Sequence, residues 1–125
     1  MLKKICLGIA LLWTGIILYM CLVRMSELPA ITIPYVDKFV HAFFYFVFSA
    51  LWFYALRFYF KKQSQAKLLK IVFLMAFLFG IAIELFQNYL TTYRSGDPLD
   101  VFANTSGSLL AVLTIAFLEK NKNSE

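Results

Sequence analysis

The chain has 125 residues, of which 62% are apolar and only 15% are charged. This balance is too apolar for an ordinary soluble domain of that length, so a bilayer is the expected solvent. The formal net charge is +5, but the basic residues lie in short clusters between apolar runs and form no single basic face. We therefore expect membrane lipids, and not nucleic acid, as partners.

Four apolar runs are each long enough to cross a hydrocarbon core of about 30 Å as a helix. They predict helices over residues of about 5–23, 39–60, 71–90 and 99–118, followed by a cytoplasmic tail, 119–125, that is expected to fray. In lipid, an open chain can satisfy its backbone only as a helix. The sequence therefore predicts an all-α fold, a single four-helix transmembrane bundle over residues 1–125.

The distribution of basic residues predicts the orientation of this bundle. With the N-terminus in the cytoplasm, nine Lys and Arg residues lie inside and three lie outside, as the positive-inside rule requires. The outside residues are Arg24, Lys38 and Arg94. Both termini are therefore expected in the cytoplasm, and the chain is expected to be a multi-pass protein of a cell membrane.

Polar residues collect at the predicted outer ends of the second, third and fourth helices. Each pair or stripe has the spacing of one helical face, and ionisable groups in or near lipid are costly, so their convergence indicates a site. The cytoplasmic ends of the same helices show only the expected Lys and Arg. The predicted site residues are Asp37 and His41, Glu84 and Gln87, Arg94 in the connecting loop, and Asp97, Asp100 and Asn104.

Several of these residues also have a purely structural interpretation. Asp97, Pro98 and Asp100 have the order of an N-cap, a first-turn proline and a first-turn acid, which stabilises a helix start without any function. Asn104 is either a hydrogen-bonding residue between helices or a substrate contact. Gly107 is expected to allow close helix packing.

Glu84 and His41 carry the stronger functional indication. A carboxylate more than one turn inside a span is costly unless it is paired or protonated, and Arg94 and His41 are its expected partners. A structural ion pair remains the alternative for Glu84. His41 either hydrogen-bonds Glu84 or Asp37, or takes part in proton transfer or ligation with an ordinary pKa of about 6.5.

The order and spacing of these residues resemble the VanZ-like family of small bacterial membrane proteins. The likeness covers residues of about 35–115 and rests on Asp37-Lys38-x-x-His41-x-x-x-Tyr45, Glu84-x-x-Gln87 and Arg94-x-x-Asp97-x-x-Asp100-x-x-x-Asn104-x-x-Gly107. The resemblance implies an all-helical protein of the bacterial inner membrane. It also implies a role in the cell envelope, because the founding member is linked to reduced susceptibility to the glycopeptide teicoplanin. It carries no established reaction.

The leading hypothesis is a protein that binds or processes an anionic lipid, a lipid-linked cell-wall precursor or a glycopeptide at the outer leaflet. Arg94 would hold a phosphate or carboxylate, with Asn104, Gln87 and Asp37 as further ligand contacts. The remaining residues could act as acid–base groups or bind a divalent cation that bridges to the phosphate: His41, Glu84, Asp97 and Asp100.

Two other hypotheses remain open at this point. In the first, the polar residues lock three helices together, and the protein is a non-enzymatic structural or regulatory partner of a membrane complex. The second is transport, which is the weaker hypothesis because polar residues at only one end of the helices give no continuous path across the membrane. The sequence assigns no dedicated metal ligands, cofactor or oligomeric state, and it leaves open whether a reaction is catalysed.

Overall fold

A computed structural model describes residues 1–22, 36–92 and 96–124, with side chains through Lys122. It contains four α-helices in the described residues: α1 (Leu2–Leu22), α2 (Val36–Tyr59), α3 (Gln65–Leu90) and α4 (Pro98–Ser124). Each helix is long and apolar enough to cross a membrane. The prediction of an all-α, four-helix transmembrane fold is therefore confirmed.

The helices extend beyond the apolar runs that predicted them. The second helix begins at Val36 instead of residue 39, and the third begins at Gln65 instead of residue 71. At the latter start, the Ser64 hydroxyl accepts a hydrogen bond from the Lys67 backbone N–H at 3.2 Å and so caps the helix. Hydropathy reports the part of a helix that lies in lipid, whereas backbone hydrogen bonding continues past it.

The prediction of a frayed tail was wrong for residues 119–124, because α4 continues through Ser124; residue 125 lies outside the described residues. Its last turns are held by charge: the Glu119 carboxylate is 5% exposed and lies 3.7 Å from both Arg57 and Lys122. A carboxylate buried beside two basic groups favours a continued helix over an unfolded end.

Aromatic residues link α1 to α2 by hydrogen bonds and pack in the centre of the bundle. The Trp13 indole donates a hydrogen bond to the Phe44 carbonyl at 3.0 Å, and the Trp52 indole donates one to the Thr14 hydroxyl at 3.0 Å. In the core, the rings of Phe48 and Phe79 stack with centroids 5.2 Å apart. Many large apolar side chains remain exposed on the outside, as expected for a surface that faces lipid.

Helices α2 and α4 approach each other closely at Gly107. A Cβ atom added at Gly107 would lie 2.0 Å from the Ala42 carbonyl oxygen. Only a residue without a Cβ therefore fits at this crossing, as small residues do where membrane helices touch. This contact brings the beginnings of α2 and α4 together at the same end of the bundle as the C-terminal ends of α1 and α3. We call this end of the bundle the cluster end.

Candidate functional site

Lys38 is the centre of an ion-pair network at the cluster end. Its ammonium Nζ lies 2.9 Å from Asp37 Oδ2, 2.7 Å from Asp97 Oδ2 and 2.5 Å from Asp100 Oδ1. The network joins the first turn of α2 to the start of α4, because the Gly107 crossing holds these two segments side by side. The Asp100 side chain is only 11% exposed, whereas those of Asp97 and Asp37 are 40% and 57% exposed.

Asp97 also acts as the cap of α4, as its sequence context predicted. Its Oδ1 atom accepts a hydrogen bond from the Leu99 backbone N–H at 2.9 Å, and Pro98 occupies the first helical position. The hydrogen bond from Lys38 holds the pKa of the Asp97 carboxyl below its ordinary value. One side chain thus serves both the helix start and the charge network.

His41 lies one helical turn beyond Lys38 and is buried, with 6% of its surface exposed. Its Nδ1 atom lies 3.1 Å from Asn104 Oδ1, which can only accept, so Nδ1 carries the proton in this hydrogen bond. Its Nε2 atom faces Asp100 Oδ2 at 3.7 Å, which is too long for a hydrogen bond. The structural alternative for His41 named Glu84 or Asp37 as its hydrogen-bond partner, whereas the structure places Asn104 of α4 in that role.

Glu84 is 6% exposed and receives its hydrogen bond from the backbone, not from a charged side chain. Its Oε2 atom accepts from the Asp97 backbone N–H at 2.9 Å, while Oε1 is buried without a hydrogen-bond partner in the described part of the chain. Gly96 lets the loop approach: a Cβ there would lie 3.0 Å from the Glu84 carbonyl oxygen. The other expected partner of Glu84, Arg94, lies outside the described residues.

Two predicted ligand-binding residues have clear structural contacts. The Gln87 side chain is 1% exposed and donates a hydrogen bond to the Cys21 carbonyl at 2.6 Å, which ties α3 to the end of α1. Asp37 lies at the exposed rim of the cluster and contacts Lys38. A role for either residue in ligand binding stays a prediction, as does the expected catalytic role of the acids and His41.

The sequence interpretation missed the most connected residue of the site. Lys38 was counted as an outside basic residue and appeared in the family-like motif, but it was not among the predicted site residues, although it lies between Asp37 and His41 and shares a helical face with the latter at i and i+3. Deeper in the bundle, further polar atoms are buried without a hydrogen-bond partner in the described residues: Tyr45 Oη, Ser49 Oγ, Asn104 Nδ2 and Ser108 Oγ. These atoms extend the polar character of the site into the membrane-spanning region.

A groove of about 470 Å³ runs along α3 and α4 beside this network. Glu84 and Asp97, together with Gly96 and Asn88, form its polar part. Its apolar part is lined by Ile81, Leu85, Pro98 and Val101. Glu84 and Asp97 therefore belong both to the polar cluster and to the lining of a groove on the outer surface of the bundle.

The described residues of the cluster end are mostly acidic, since three carboxylates contact the Lys38 ammonium and a fourth, that of Glu84, accepts a hydrogen bond from the Asp97 backbone. Three buried residues of the cluster each offer a ligand atom within 4.8 Å of those of the other two: His41, Glu84 and Asp100. Such a set can exchange protons, hold a cation, or bind an anion through Lys38 or a bound cation.

Comparison with known proteins identifies a family for this chain. A model of the VanZ/LLP1 family matches residues 6–119, a range that contains every predicted site residue. No curated protein and no solved structure gives a significant match to the chain. The four helices able to cross a membrane and the family match over nearly the whole chain lead to one conclusion: this protein belongs to the VanZ/LLP1 family of membrane proteins.

Proposed function

We propose that this protein binds an anionic lipid, or a lipid-linked precursor of the cell envelope, at the outer leaflet of a bacterial membrane. The polar cluster would receive the headgroup, and the groove between α3 and α4 would receive the apolar chain. The observation that carries the proposal is that one groove has an apolar wall and reaches Glu84 and Asp97 at its polar part. A ligand with a charged head and an apolar tail matches both surfaces.

The position of the groove favours a lipid over a water-soluble ligand. Leu85 is 50% exposed on the outside of α3, a surface that faces acyl chains once the bundle lies in a membrane. A lipid can therefore reach the groove by lateral diffusion, without crossing the bundle. The excess of basic residues at the opposite end of the helices supports an outward-facing cluster.

Lys38 is the described cation that could hold an anionic headgroup. Its ammonium contacts three carboxylates, two of which, Asp37 and Asp97, are partly exposed and can turn to water when a phosphate oxygen approaches. Asp100 is more buried and keeps Lys38 in place. Arg94, predicted from the sequence as a phosphate contact, would add a second and bidentate interaction.

A non-enzymatic structural or regulatory role is the second candidate. It is favoured by the hydrogen bonds that join all four helices at the cluster end, including the contact of Gln87 with the Cys21 carbonyl. In that case the network would stabilise the bundle as a partner of another membrane protein, and no lipid headgroup would be selected.

Lipid retention by the purified protein distinguishes the two candidates. The detergent-solubilised protein is incubated with phosphatidylglycerol, a polyprenyl diphosphate or phosphatidylcholine, and the retained lipid is quantified by mass spectrometry. We expect one of the anionic lipids to be retained in preference to phosphatidylcholine. A lipophilic glycopeptide, which the family resemblance suggests, is tested in the same assay as a further ligand.

A matched pair of variants tests the groove itself. Leu85→Trp narrows it and should weaken retention about tenfold, a loss of roughly 1.4 kcal/mol. Leu113→Trp makes the same change at a similarly exposed position on α4 outside the groove and should have no effect. Equal retention of all lipids by the parent, or equal effects of the two variants, would contradict headgroup binding and favour the structural role.

A further inference from the structure

We propose that His41, Glu84 and Asp100 bind a divalent transition-metal cation of the Mn²⁺ or Zn²⁺ class. One ligand atom from each residue lies within 4.8 Å of those of the other two, and all three residues are buried. With bonds of about 2.0–2.2 Å, two ligand atoms on one ion lie about 3–4.4 Å apart. Small side-chain rotations are therefore enough to close the three groups around an ion.

The unpaired oxygen of Glu84 is the observation that points to a ligand. Glu84 is 6% exposed, and its Oε2 atom already accepts the Asp97 backbone N–H. Its Oε1 atom is buried and has no hydrogen-bond partner in the described residues. A buried carboxylate oxygen needs a proton or a cation to offset its desolvation, and a neighbouring imidazole and second carboxylate make a cation the better match.

The hydrogen bond of His41 prepares its second nitrogen for ligation. With Nδ1 donating to Asn104 Oδ1 at 3.1 Å, Nε2 is the ring nitrogen that can offer a lone pair to a metal. That atom faces Asp100 Oδ2 at 3.7 Å, a separation that suits two ligands of one metal and exceeds a hydrogen bond. Metal-binding histidines commonly donate their other ring N–H to an oxygen in this way.

Lys38 orients the third ligand and balances the charge. Its ammonium holds Asp100 Oδ1 at 2.5 Å, which turns Oδ2 towards His41. Since the cluster contains four carboxylates and one ammonium, a divalent cation still leaves it without excess positive charge. The same ammonium would serve as an outer contact for the coordinated carboxylate.

The ligand set favours a transition metal over Ca²⁺ or Mg²⁺. An imidazole with two carboxylates suits Zn²⁺ or Mn²⁺, whereas Ca²⁺ takes six to eight oxygen ligands and Mg²⁺ rarely uses such a cage. Three protein ligands leave a coordination position open. Glu84 also lines the groove, so an anionic headgroup oxygen could fill that position; this last step alone rests on the proposed function.

Metal binding by the purified protein tests the site without any lipid. The full chain in detergent is stripped with EDTA and titrated with MnCl₂ or ZnCl₂, and bound metal is measured by elemental mass spectrometry after desalting, alongside the thermal midpoint. We expect equimolar binding and a midpoint that rises with metal concentration. CaCl₂ should produce neither at the same concentrations.

Two ligand variants and one matched control decide whether the proposed ligands are responsible. In Glu84→Gln the side-chain oxygen can still accept the Asp97 N–H, so the fold is kept, while metal affinity should fall at least about tenfold. Glu119→Gln removes another buried carboxylate at the opposite end of the bundle and should leave metal affinity unchanged. His41→Gln should weaken binding as Glu84→Gln does.

The proposal is overturned if the parent binds neither Mn²⁺ nor Zn²⁺ after desalting, or if Glu84→Gln binds them as tightly as the parent. Either result would leave the lipid assay unaffected. If metal binds and no anionic lipid is retained with the metal present, the cation site stands and the proposed function falls. If lipid is retained after EDTA treatment and no metal binds, the proposed function stands and the cation site falls.

Discussion

The Glu84 carboxylate and the Asp97 backbone N–H are joined by a 2.9 Å hydrogen bond that links the interior of α3 to the residue that caps α4. This contact brings a membrane-buried acid next to a helix start, where backbone N–H groups and the helix dipole favour negative charge. It also leaves the second oxygen of the carboxylate without a hydrogen-bond partner in the described structure. The difference between the two oxygens of Glu84 leads to effects on stability that can be measured.

Replacement of Glu84 by Gln should not destabilise the metal-free protein. In EDTA at neutral pH, we expect the free energy of unfolding to stay constant or to rise by up to about 2 kcal/mol, because a buried carboxyl group with an unpartnered oxygen is replaced by an amide while the hydrogen bond to Asp97 is kept. Chemical or thermal unfolding in detergent measures it. Glu119→Gln should lower stability, since Glu119 lies near Arg57 and Lys122. A comparable loss in both variants would mean that the Glu84 charge is structurally paired.

Replacement of Lys38 by Gln should be strongly destabilising, because it leaves the Asp100 carboxylate buried without its cation. We expect a loss of about 3 kcal/mol or more in the free energy of unfolding. The double variant Lys38→Gln with Asp100→Asn should recover much of it, since neither charge then remains. Lys62→Gln, at an exposed turn, serves as the control for loss of a positive charge. Additive losses in the double variant would contradict a direct pair.

Asp97 should add an acid-dependent component to stability. Its folded-state pKa is lowered by the hydrogen bond from Lys38, so below the unfolded pKa of about 3.9 the unfolded chain binds a proton that the folded chain does not. Its contribution is therefore present above that pH and is lost as the pH falls through the folded pKa. Asp97→Asn keeps the cap and removes the titration. The difference in thermal midpoint between parent and variant should shrink from pH 6 to pH 3; a constant difference would exclude this contribution.

The meeting of the polar residues was predictable, because it follows from helical spacing and from an even number of spans. Asp100 and Asn104 share a helical face, and α2 and α4 run in the same direction, so residues near their starts must lie at one end of the bundle. Gly107 was correctly predicted as a packing residue because glycine in a membrane helix permits close approach.

The partners within the cluster were less predictable. Glu84 bonds a backbone N–H, a donor that every residue carries and that no side-chain pattern indicates. In the sequence, Lys38 contributed to the predicted orientation of the bundle, because the side chain of a basic residue at the end of a span usually extends to water and lipid headgroups. Only the crossing of α2 and α4 shows that its ammonium turns inward, and that crossing depends on a contact between residues far apart in the sequence, Ala42 and Gly107.

The crossing of α2 and α4 predicts a strong effect for a single methyl group. In Gly107→Ala the new Cβ would lie 2.0 Å from the Ala42 carbonyl oxygen, so the two helices must separate. We expect a loss of about 1–3 kcal/mol in the free energy of unfolding, as overpacked cores show, and weaker metal binding because His41 and Asp100 move apart with their helices. Gly15→Ala on α1 is the control, since its Cβ would have no atom within 4 Å. If both variants unfold at the same midpoint, the close crossing does not hold the cluster together.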